Sequence, residues 1–159
     1  MMNMKMLKTA WIAVLVTALC LPVLAELKVA LTANKIVVVN GKEQKESSDK
    51  AKPGEVIEYI AEYRNAGNAT VTNVIATLPV PAGTEFVPET AQPQQLMAST
   101  DEHNFAPVPL KRMAAGPDGK MVEQLVPYSE YRSLRWNLGK LQGGESKSVK
   151  ARVKVKVSQ

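Results

Sequence analysis

From Ser148 to Val157 every second residue is apolar. Val149, Ala151, Val153, Val155 and Val157 alternate with Ser148, Lys150, Arg152, Lys154 and Lys156. A period of two puts each set on its own face of an extended strand, whereas a helix of 3.6 residues per turn would scatter both around its axis. The chain must therefore build a sheet that buries one face.

The same reading extends upstream. Leu27, Val29 and Leu31 alternate with Lys28, Ala30 and Thr32, as in a half-buried strand. Ile36 to Val39 is a β-branched run that stops at Asn40-Gly41, a turn dipeptide. Lys42 to Lys52 is charged, with Ala51 its only apolar residue, and reads as an exposed, flexible loop. After Pro53-Gly54, Ile57, Tyr59, Ala61 and Tyr63 share a face opposite Glu58, Glu62 and Arg64. Asn65 to Asn68 is a turn, and Val71 to Leu78 is a further strand. Leu134, Trp136 and Leu138 alternate with Arg135 and Asn137, and the glycines 139, 143 and 144 bracket the next turn. Pro88, Pro93, Pro107 and Pro109 exclude a long helix or a central strand from the middle of the chain. Leu110–Met113 and Met121–Val126 flank Gly116-Pro117-Asp118-Gly119, the pattern of a hairpin. Short strands, regular turns and no helical period predict an all-β sandwich or small barrel.

Residues 1–25 stand apart. Lys5 and Lys8 precede an uncharged apolar run from Thr9 to Leu21, then Pro22, then Val23-Leu24-Ala25. This is the three-part pattern of a secretory signal peptide, and the run is short of the roughly 20 residues that span a bilayer. Cleavage after Ala25 leaves a single domain, residues 26–159, with no other stretch of membrane-spanning length. The cut removes Cys20, the only cysteine, so an exported domain must hold together through its core and without disulfides. It also removes Lys5 and Lys8, lowering the net charge from +5 to +3. That mild excess, on an exported chain, does not point to nucleic acid. The expected location is periplasmic, or secreted to the cell surface.

Pro53-Gly54-Glu55, Tyr59 and Asn65-Ala66-Gly67-Asn68-Ala69, followed by Thr72-Asn73-Val74, resemble the opening of the DUF11 repeat of bacterial and archaeal surface proteins. Leu78-Pro79 with Pro81 to Val87 resembles that family's Leu-Pro-x-Gly-x-x-Phe block, lengthened here by Val80 and Pro81. Trp136 to Glu145 resembles its closing Trp-x-Leu-Gly-x-Leu-x-x-Gly-Glu block. The three blocks stand in the family's order and cover roughly residues 50 to 157, in one copy. The resemblance implies an immunoglobulin-like antiparallel β-sandwich of about seven strands, a structural or adhesive role on the cell envelope, and no catalytic residues.

The residues suggest little chemistry of their own. His103 is the sole histidine and Asp49, Asp101 and Asp118 are the only aspartates, none in a calcium-loop spacing. Asp118 in Pro-Asp-Gly reads as a turn former. Asn68-Ala69-Thr70 fits a glycosylation sequon, but the turn accounts for Asn68. Trp136, Tyr59 and Tyr63 are expected in the core rather than on a sugar-binding platform. No enzyme, cofactor or metal is expected. The one candidate contact is the basic stripe Lys150, Arg152, Lys154 and Lys156, either a solvated face that discourages edge pairing or a surface for an anionic polymer. The leading expectation is a non-catalytic structural or protein-interaction module whose partner is another envelope or surface protein. The alternatives are a fibre subunit that donates Leu27–Val39 to a neighbour's open sheet edge, and a binding module for an anionic glycan.

Overall fold

A computed structural model of the chain describes residues 25–49 and 51–157. The expected leader lies, Ala25 aside, outside the described residues. Eleven strands follow one another: β1 (Leu27–Val39), β2 (Lys42–Ser47), β3 (Val56–Asn65), β4 (Val71–Pro79), β5 (Thr84–Phe86), β6 (Met97–Ser99), β7 (Ala106–Pro107), β8 (Lys111–Ala115), β9 (Met121–Leu125), β10 (Ser133–Leu141) and β11 (Ser146–Val155), with a single 3₁₀ turn at Tyr128–Glu130. All pairings between strands are antiparallel. One sheet has the order β2-β1-β3-β11-β5, the other β4-β10-β6-β7, and β8-β9 form a separate ribbon. The protein is an all-β antiparallel sandwich.

The alternation in the sequence builds the core directly. Ile57, Ala61 and Tyr63 of β3 and Val149, Ala151 and Val153 of β11 face Val74, Ala76 and Leu78 of β4 and Leu134, Trp136, Leu138 and Leu141 of β10. Trp136 is 2% exposed, and its indole N–H donates to the Pro93 carbonyl at 2.8 Å, so the ring is buried without stranding its one polar atom. A second aromatic group joins it: Phe86, Tyr128 and Tyr131 pack with ring centroids 5.2 to 6.0 Å apart. The buried Tyr131 hydroxyl accepts the Leu110 N–H at 2.7 Å.

Two connections cross between the sheets at one end, and Asn65 ties them together. Its side-chain amide donates to the Ala69 carbonyl at 2.6 Å and to the Leu141 carbonyl at 3.1 Å, while its Oδ1 accepts the Gly67 N–H. The Asn65 backbone adds bonds to Glu145 and Gly144. The turns lie so close that a Cβ on Gly143 would sit 2.8 Å from the Asn68 carbonyl oxygen. At the β4–β5 crossing Gly83 takes φ +80°, and Thr84 donates to the Pro81 carbonyl through both its N–H and its hydroxyl.

Four expectations need correcting. Lys42–Ser47, read as a flexible loop, is strand β2. Asn40 and Gly41 at φ 52° and 75° make the tight reversal, and backbone pairing to β1 holds an edge strand that buries no side chain. Leu27, Val29 and Leu31 are not half-buried; they are 41, 55 and 56% exposed. They do share the inner face with Tyr63 and Ala61 through the β1–β3 register, but the second sheet ends at β4, opposite β3, and leaves β1 overhanging. A short interior strand, β6, occurs in the proline-rich middle, because Met97–Ser99 falls between Pro93 and Pro107. Finally, β11 is an interior strand between β3 and β5, so its lysines do not guard an edge.

Candidate interaction surfaces

The basic stripe is broken up by its neighbours. Lys150, Arg152 and Lys154 share the outer face of β11, opposite Ile60, Glu58 and Val56 of β3. Arg152 is committed: its guanidinium holds Glu43 of β2 in two hydrogen bonds of 2.7 and 2.8 Å and reaches Glu58 at 3.2 Å. Glu58 is 2% exposed and also meets the Lys45 ammonium at 2.6 Å. Burial disfavours its charge, but the bonds from Lys45 and Arg152 outweigh that and hold its carboxyl below the usual range. The bond from Arg152 does the same for Glu43. Lys156, past the end of β11, donates to the Ser129 carbonyl at 2.9 Å. Lys150 also acts on Glu43, its charge helping to favour the ionised carboxylate, so the four cations do not form one free stripe. The sequence could not show this, because Glu43 and Lys45 come from a segment read as loop.

The other expected features settle locally. His103 is exposed, and its backbone N–H donates to Asp101 Oδ1 at 2.9 Å. Asp101 also accepts from Ser99 and from both the backbone and the side chain of Asn104, and these bonds, the Asn104 side chain first, hold its carboxyl far below the ordinary range. It fastens a loop. Asp118 accepts the Lys120 N–H in the ribbon turn. Among the described residues no three histidine, cysteine or acidic side chains converge to hold a metal, and no helix is long and apolar enough to cross a membrane. A 380 Å³ cleft lies beside Phe86, Tyr128, Leu96 and Val108; Glu89 is the one ionisable group on its wall other than Tyr128.

What the surface does present is apolar. The β8–β9 ribbon places Met113 and Ala115 beside Glu123 and Met121 on one face, with Leu125 next to them. Met113, Met121 and Leu125 are 57, 60 and 64% exposed. On the same face Lys111 pairs with Glu123 at 2.7 Å. On the opposite face Arg112 grips Glu130 of the 3₁₀ turn through two hydrogen bonds of 2.6 and 3.1 Å and fixes the ribbon to the sandwich. The overhanging half of β1 presents Leu27, Val29 and Leu31. Nothing in the sequence pattern marks the ribbon as a display surface, because its alternation is that of any half-buried hairpin. No family model, no curated protein and no solved structure matches the chain.

Proposed function

We infer that the chain is an exported, non-catalytic envelope protein that works as a structural or protein-interaction module. Its immunoglobulin-like, DUF11-type character and its periplasmic or surface location belong to the same reading and rest on the residues of the sequence. The observation that carries the interaction role is the β8–β9 ribbon. A two-stranded ribbon is marginal alone, yet this one is clamped to the sandwich by Arg112 and Glu130 while its methionine and leucine side chains face outward. Flexible thioether side chains on an exposed face suit contact with another protein.

The test is site-specific photo-crosslinking in the producing cell. A photoreactive residue at Met121 should give a discrete crosslinked band in the envelope fraction, and the same residue at exposed Gln92 should not. Equal, diffuse labelling from both sites sinks the ribbon as an interface. Recovery of the chain in the cytoplasm with residues 1–25 attached sinks the export reading.

A further inference from the structure

The exposed half of β1 is an open sheet edge. From Leu27 to Thr32 the strand pairs on one side only, with β3; β2 covers Asn34–Val39, and the ladder closes where Ser48 Oγ donates to the Ala33 carbonyl at 3.2 Å. The Ala66 N–H donates to the Glu26 carbonyl at 2.7 Å, which makes Leu27 and Asn65 a non-hydrogen-bonded pair of the antiparallel ladder. Every second residue from there, Leu27, Val29 and Leu31, therefore aims its own N–H and C=O away from β3, along the open edge. Their side chains are the ones that overhang the second sheet. Backbone groups and an uncovered apolar stripe thus lie together on one edge.

We propose that this half-strand pairs antiparallel with the same half-strand of a second copy, about a two-fold axis at Val29, so that two five-stranded sheets continue into one. The stretch complements itself. In that register Leu27 of each copy faces Leu31 of the other, Val29 faces Val29, Lys28 faces Ala30 and Glu26 faces Thr32. No like charges stand directly opposite, and each Lys28 brings its own counter-charge, Glu26, at 3.2 Å. The length also fits. Glu26 falls opposite Thr32, clear of Asn34, where β2 begins to cover the edge. A chain cut after Ala25 ends at that point, and this part of the fit rests on the export reading above. An isologous contact of this kind closes on itself as a dimer.

Because residues 26–159 contain no cysteine, single substitutions report the register. Residues facing each other across the axis lie about 5.5 Å apart at Cα, within disulfide span. Val29→Cys should therefore form a disulfide-linked dimer in oxidising buffer, while Leu27→Cys and Leu31→Cys, each opposite a different residue, crosslink at least about ten-fold less. Sedimentation of the unmodified chain should show a mass rising from one copy toward two between about 10 µM and 1 mM, as a contact at the small end of the interface range requires. Val29→Pro removes an N–H that points outward and leaves the β1–β3 bonds in place; it should stay monomeric with an unchanged urea midpoint. A mass fixed at one copy up to 1 mM, or equal crosslinking from all three cysteines, overturns the proposal. The mass of the exported chain tests the cut separately. If residues 1–25 remain, the export reading fails, and Val29→Cys crosslinking of the uncut chain with Cys20→Ser added still decides the dimer.

Discussion

Asn65 does more than occupy a turn. Fully buried, it serves three backbone groups with its side chain, across two connections that are 76 residues apart in sequence at their furthest. Asn65→Ala leaves those groups without a partner in a site that water does not reach. It should cost about 1 to 3 kcal/mol, read as a lower urea midpoint. The Asn-Ala-Gly-Asn pattern announced a turn; the role of its first residue as a bridge to Leu141 depends on tertiary geometry that local pattern does not carry. Arg152 teaches the same lesson. Its position in an alternating basic run was plain, but its partners, Glu43 and Glu58, come from two other strands. Arg152→Gln should therefore lower the unfolding midpoint, by about 1 to 3 kcal/mol through the loss of charge-assisted bonds to buried Glu58. A role purely as an anion contact would leave the midpoint where it was.

At the scale of the element, an edge is defined by what lies beside it. The strands with one buried face, β3, β4, β10 and β11, were legible because the opposing sheet roofs them. β2 was not, since no apolar side chain marks it; backbone pairing and the ion pairs of Glu43, Lys45 and Glu46 hold it. The same limit hid the exposure of β1: alternation gives the face and not whether anything covers it. β4 borders the second sheet, and here the protein closes an edge by an unusual route. The Tyr63 hydroxyl, reaching across from β3, accepts the Thr77 N–H at 3.1 Å. Since this N–H points away from β10, it would otherwise be open to a strange strand. Tyr63→Phe should cost about 0.5 to 1.5 kcal/mol and leave β4 more prone to pairing, seen as faster aggregation under mild heating than for a control, Tyr128→Phe, at a half-buried tyrosine away from β4.

Taken whole, the molecule draws on its packed core and on its carboxylate pairs. Glu43, Glu55 and Glu58 are all held below their ordinary value near 4.5, Glu43 by Arg152, Glu55 by the Lys52 N–H and Glu58 by Lys45 and Arg152 against its burial. Groups lowered in the folded state bind protons more readily when unfolded, so stability is present above pH 4.5 and lost as pH falls through the folded values. The urea midpoint should thus drop steadily from pH 5 to pH 3, and Glu58→Gln should flatten that slope. A midpoint independent of pH over this range contradicts the pairing. The central strand β3 lies between β1 and β11, and both of these run antiparallel to it. Leu27 therefore sits at one end of the sheet and Val155 at the other. A pull applied between those two points would be resisted by both ladders in shear, with rungs across the line of force loaded together rather than unzipped in turn. That geometry suits a part that must bear tension along its length.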